Sequence, residues 1–141
     1  MRSLVASLDC MNTISVAPSK PVVCVVDGDP AVRDSLAYLC QSNGHVVQGF
    51  STAGALLRQI DSLFAKCVIC EAQLPDVSGI QLYLQLKKRG IDVPFALLVS
   101  RSLTVETVAA NEAGIDFVLH KPLTHYAALT RFIAATQANG Y

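Results

Sequence analysis

The sequence predicts an α/β fold built on a doubly wound parallel sheet. Three observations predict it: five short apolar runs of strand length, helical apolar stripes between them, and Gly, Asn and Pro residues that keep the connections short. Val22 to Val26 is continuously apolar up to Asp27, as a central strand covered on both faces requires. Asp29-Pro30 then supplies an N-cap and a proline for the first helical turn, and Val32, Leu36, Leu39 and Cys40 form one stripe. Asn43-Gly44 ends that helix. Val46 to Phe50 reads as the second strand, and Ser51 is expected to cap a helix running to about Ile60. Cys67 to Cys70 is the third strand. After a loop holding Pro75 and Gly79, the residues Ile80, Leu82, Tyr83, Leu86 and Lys87 continue as an amphipathic helix closed by Gly90. Phe95 to Val99 is the fourth strand, followed by a helix from about Thr104 to Ala113 that stops at Gly114. Phe117 to Leu119 is a short fifth strand, and Leu129, Phe132, Ile133 and Thr136 share one face of the last helix.

The chain has 141 residues, 52% of them apolar, which is enough for one domain with a substantial core. Lys plus Arg number 11, equal to Asp plus Glu, and no basic run exceeds Lys87-Lys88-Arg89, so no cationic surface for nucleic acid or anionic lipid is expected. The longest apolar runs, such as Phe95 to Val99, fall far short of a bilayer span. Near the start, Leu4-Val5-Ala6 is interrupted by Asp9 and no small-residue cleavage site follows, so a cytoplasmic location is expected. Residues 1–19 are expected to be a flexible tail, with Met11 an alternative start, and residues 20–141 the domain.

Five cysteines without an export signal argue against a disulfide framework. Cys67 and Cys70 have C-x-x-C spacing, but Val68-Ile69 between them is β-branched and reads as buried strand. A redox motif usually opens a helix, and a structural zinc site needs a second ligand pair that the sequence lacks. His45, His120 and His125 have no metal-ligand spacing and read as surface or strand-end residues.

In a sheet of this type, polar residues just past the carboxyl ends of strands line the crevice where ligands sit. Asp27, Glu71 and Lys121 all fall at such ends. Two acids and a lysine from three strands make a candidate site, set against the plainer reading of ordinary polar strand termini.

Three segments then narrow the reading. They are Val22-Val-Cys-Val-Val-Asp27-Gly28-Asp29-Pro30, Cys67-Val-Ile-Cys70-Glu71 with Leu74-Pro75-Asp76-Val77-Ser78-Gly79, and His120-Lys121-Pro122. In order, from about Pro21 to Ala135, they resemble the receiver domains of two-component response regulators, closest in pattern to the FixJ/NarL-like type. The resemblance implies a flavodoxin-like (βα)5 sheet of strand order 2-1-3-4-5. It also implies a site of two acids after strand one, a phosphoacceptor aspartate after strand three, a Thr or Ser after strand four and Lys-Pro after strand five, which together position an in-line phosphoryl transfer around magnesium.

Asp27 and Lys121 match that pattern; Gly28 and Glu71 depart from it. Gly28 stands where the resemblance puts the acid that contacts the metal, so magnesium is expected to bind weakly at best, through Asp27, Glu71 and Gln73. Asp29 reads as a helix cap and not as a replacement. Glu71 occupies the acceptor position with one extra methylene, an overshoot of about an ångström that can cost a hundredfold in rate. Counted without gaps, the hydroxyl position falls on Val99 and the family's aromatic switch position on Val118; Ser100 and Phe117 lie one residue away and take those roles only if two compensating shifts are allowed. Pro75, Gly79 and Pro122 are expected to shape the site. Glu71 and Lys121, ending strands expected to be neighbours, should form a partly buried ion pair, which either imitates an activated state or merely stabilises the fold.

The sequence therefore reads as a stand-alone, degenerate receiver. It is expected to be no enzyme, to hold no cofactor, and to act through a sensor kinase or a separate output protein. The face of the last two helices and fifth strand is a candidate homodimer surface, with Arg101, Glu106, Asn111 and Arg131 as candidate contacts. The alternatives are a working phosphoacceptor with a non-standard site, and a small flavodoxin-like enzyme or cofactor binder. The latter fits poorly with Asp27-Gly28-Asp29-Pro30, which sets acids where a phosphate cradle wants bare backbone N–H groups.

Overall fold

A computed structural model describes residues 20–100, 104–115, 117–121 and 127–138. Five strands, β1 (Val22–Val26), β2 (Val46–Phe50), β3 (Ala65–Glu71), β4 (Phe95–Ser100) and β5 (Phe117–Lys121), alternate with five helices. The helices are α1 (Pro30–Ser42), α2 (Ala53–Gln59), α3 (Gly79–Lys88), α4 (Thr104–Ala113) and α5 (Ala127–Ala138). All strand pairs are parallel, in the order β2-β1-β3-β4-β5.

Strand alternation splits the core in two. Val23, Val25, Cys67, Ile69, Ala96 and Leu98 face Leu36 and Cys40 of α1 and Leu129, Phe132 and Ile133 of α5. Cys24, Val26, Val68, Cys70, Leu97 and Val99 face Leu56 of α2, Leu82 and Leu86 of α3 and Ala110 of α4. β1 and β3 are buried on both sides, which explains their uninterrupted apolar sequence.

Helix starts follow local chemistry with one correction. Asp29 caps α1, its side chain accepting from the Ala31 amide with Pro30 just inside. The cap of α2 is Thr52, not Ser51; its hydroxyl accepts from the Ala55 amide at 3.0 Å. α3 opens with a capping box in which Ser78 and Gln81 satisfy each other's backbone amides. β3 is longer than its apolar run suggests, beginning at Ala65, and a register shift between Val22 and Val23 absorbs Lys66.

Candidate functional site

The period-two alternation that places Val23 and Val25, Cys67 and Ile69, and Phe117 and Leu119 on one face also sets Asp27, Glu71 and Lys121 there, at the carboxyl ends of β1, β3 and β5. Asp27 is 2% exposed and Glu71 8%. The Lys121 ammonium pairs with Glu71 Oε1 and lies 3.7 Å from Asp27 Oδ2. Lys121 and Glu71 do not end neighbouring strands, contrary to the sequence reading: β4 runs between β3 and β5, and the flexible lysine stem spans its end.

Each acid has further partners. Asp27 Oδ1 accepts from the Asp29 amide at 2.9 Å, and the Asp27 carbonyl accepts from Arg33 Nη1 at 2.7 Å. Asp27 Oδ2 is buried without a hydrogen bond, so Lys121 is its nearest charge compensation among the described residues. Glu71 Oε2 accepts from the Gln73 amide at 3.3 Å, and Gln73 Nε2 donates to Glu106 Oε2 at 2.7 Å.

The β3–α3 loop closes over this centre. A Cβ on Gly28 would stand 3.0 and 3.2 Å from the Cγ and Cδ of Pro75, so the proline ring occupies the space into which a larger residue would grow. At Gly79 a Cβ would stand 2.5 Å from the Glu71 carbonyl oxygen and 2.7 Å from Leu97 Cδ1, an approach only glycine permits. Asp76 anchors the loop from outside, its carboxylate accepting from the Ala53 amide at 3.1 Å, Gly54 at 2.9 Å and Val77 at 3.0 Å. The Gly54 amide above all, with Ala53 and Val77, holds the Asp76 carboxyl below its ordinary range against the opposing effect of burial.

The chain from residue 23 to 133 matches the family model of the response regulator receiver domain. This chain belongs to the response regulator receiver family. It is 31% identical over 122 residues to the transcriptional regulatory protein FixJ of Azorhizobium caulinodans, covering 86% of this chain and 56% of that protein. It is 33% identical over 112 residues to the response regulator MprA of Mycolicibacterium vanbaalenii, covering 79% and 48%. The receiver thus spans about half the length of these curated relatives. The crystal structure of full-length FixJ from B. japonicum superposes with a TM-score of 0.78 at 29% identity, over 86% of this chain and 59% of that one.

In this receiver the two readings of the hydroxyl position fall on opposite faces of the sheet. Val99 is fully buried in the core beneath α2, α3 and α4, on the pleat opposite Glu71. Ser100 is exposed, lies on the pleat of the acids and is in register with Lys121. Val118 packs on the same core as Val99, whereas Phe117 stacks edge-on against Phe132 at 5.0 Å on the other side. Pro122, His125 and Arg101 lie outside the described residues. His120 is exposed at its strand end.

Cys67 and Cys70 face opposite cores, so they cannot bridge to each other. Burial pushes the Cys24 thiol up to about 12 and Cys40 to about 11, and raises Cys67 and Cys70 as well, which disfavours the thiolate form. Among the described residues no helix is long and apolar enough to cross a membrane.

Of the candidate contacts, Glu106 is half-buried and accepts a hydrogen bond from Gln73, while Asn111 and Arg131 are exposed. Sequence reasoning missed Arg33 and Asp76. Their partners are backbone atoms 6 and 22–23 residues away, which no local pattern marks.

Proposed function

We propose that this receiver signals by protein contact and is not switched by phosphoryl transfer to its own acceptor position. The observation that carries the reading is the Glu71–Lys121 pair. The carboxylate at the acceptor position is one methylene too long for in-line attack, and both its oxygens are engaged, by Lys121 and by the Gln73 amide. Magnesium demands near-octahedral oxygen geometry at about 2.1 Å. Gly28 offers no carboxylate, Pro75 crowds that position, and the Lys121 ammonium stands close to both remaining acids, so these residues do not suit the ion. No step is assigned to a metal, and binding is expected to be weak. Against Lys121, Glu71 imitates part of a phosphorylated state, with one negative charge in place of the −1.5 to −2 of a phosphate.

In this reading residues 20–141 are the receiver and residues 1–19 a tail. The partner is a sensor kinase or an output protein in the cytoplasm, and the domain is a signalling module without an enzymatic role. Two relatives are named a transcriptional regulator and a response regulator; the balanced charge of this chain favours protein partners over direct contact with nucleic acid. Val105, 76% exposed, and Val108, 55% exposed, support a homodimer through the face of α4, α5 and β5.

Amide NMR spectra with and without magnesium and a small phosphodonor test the proposal. Spectra that do not change around Glu71 and Lys121 are expected. A new, magnesium-dependent set of peaks from those residues would overturn it.

A further inference from the structure

We propose that Lys66, His45 and Phe64 form a binding site, at the opposite end of the sheet from the charged centre, for an acidic peptide segment with an apolar side chain beside its carboxylate. The site goes beyond the reading of Glu71 and does not depend on it. The backbone brings the three residues together. Val22 pairs with Val46 on one side and Ala65 on the other, and its amide donates to the Phe64 carbonyl at 2.8 Å, so the starts of β2, β1 and β3 lie side by side. Val22, Leu63 and Ala65 pack on the core under α2, α3 and α4. Alternation therefore turns Phe64 and Lys66 toward the α1 and α5 side, where Cys67 also lies because the register shift between Val22 and Val23 sets two consecutive residues on one face. His45 shares the parity of Val47, which packs on that same side.

Lys66 is the centre of the site. It is only 9% exposed, yet among the described residues no ion pair or hydrogen bond engages its ammonium. The ammonium is not among the buried atoms closed off from water, so the stem is held by the protein while the tip reaches solvent. A mobile surface lysine loses rotamer freedom when it pairs with an anion; here packing has already fixed the stem, so an incoming carboxylate gains a charge-assisted hydrogen bond at reduced entropic cost. Burial, and after it the Lys66 charge, holds the partly exposed His45 imidazole below its ordinary value. It is therefore neutral near pH 7 and offers a hydrogen bond without a second charge. One fixed ammonium matches a carboxylate better than a phosphate with its −1.5 to −2 charge. Phe64, 52% exposed, supplies the apolar surface next to it, which a bare inorganic anion would leave uncovered. Lys20, exposed just before β1, adds attraction for an acidic segment, and Asp61, in the turn before Phe64, is exposed and pairs with neither lysine.

Titration of the full chain with N-acetyl-glutamyl-phenylalanine amide, followed by amide NMR, tests the site; the glutaminyl counterpart and inorganic phosphate are the comparisons. Saturating shifts are expected at Val46, Ala65 and Lys66, with a Kd about fivefold lower for the glutamyl than for the glutaminyl peptide. Lys66→Met and Phe64→Ser are each expected to raise the Kd of the glutamyl peptide about fivefold. Equal affinity for the two peptides, no response to either, or shifts centred on Glu71 and Lys121 would overturn the proposal. So would inorganic phosphate binding at Lys66 as tightly as the glutamyl peptide, which would make a free anion the ligand. Should Lys66→Met not fold, Phe64→Ser, a change at an exposed position, carries the same expected and contrary results. A phosphoryl adduct on the chain would sink the functional reading yet leave these shifts readable, so the two failures are distinct.

Discussion

At the residue scale, the charged centre consists of two nearly buried acids and one partly exposed cation. Asp27 is almost wholly buried, and Lys121, with 29% of its side chain exposed, is the compensating charge for both acids. Removing one member of a buried pair commonly costs about 3–5 kcal/mol, and partial exposure reduces this, so Lys121→Met is expected to destabilise by about 2 kcal/mol in urea unfolding. Adding Glu71→Gln should recover part of the loss, since it removes one of the stranded charges. Strict additivity of the two changes would mean that the side chains do not interact. Restoring the family pattern by Gly28→Asp with Glu71→Asp meets an obstacle that side-chain identity alone does not reveal: the new Cβ would press on the Pro75 ring at 3.0 Å. The double variant is expected to gain magnesium affinity and some phosphorylation, and more of both when Pro75→Ala is added. Calorimetric titration with magnesium decides, and equal affinity with and without the proline would show that the ring is no barrier.

At the scale of elements, the β3–α3 loop is held by one close approach and one long-range cap. Gly79→Ala would drive a methyl into the Glu71 carbonyl oxygen, a backbone atom that cannot step aside, with an expected cost of about 2–3 kcal/mol in urea unfolding. A loss under about half a kcal/mol would mean that the loop repacks freely. Asp76 binds free amides at the start of α2, and Asp76→Ala should cost about 1 kcal/mol, as a lost helix cap does. Because its folded carboxyl titrates below the ordinary value, the charge-dependent part of this stabilisation is fully present above that ordinary value, about 3.9. It is lost as the pH falls through the lower, folded value. The gap in stability between the parent and Asp76→Asn should therefore be constant near neutrality and close only in strong acid; a gap already closing near pH 6 contradicts the assignment. Capping shows where local pattern suffices and where it does not. Asp29-Pro30 announces α1, and Ser78-x-x-Gln81 was there to be read as the capping box of α3. Ser51 and Thr52 are equivalent by type, and only backbone geometry selects Thr52.

At the scale of the molecule, the sequence carried the order of elements because β1 and β3 are buried on both faces and have to be apolar throughout, while each helix shows its stripe. Strand order came from resemblance, since periodicity does not say which strands adjoin. The candidate site was legible as three strand-end charges, but not the path of Lys121 across β4 or the tie from Gln73 to Glu106, both of which depend on side chains meeting across elements distant in sequence. The account comes down to whether an acceptor-position glutamate held by a lysine accepts phosphate. Intact-mass measurement after incubation with a small phosphodonor and magnesium is the most direct test: the account predicts an unchanged mass, and a stoichiometric adduct of one phosphoryl group would contradict it.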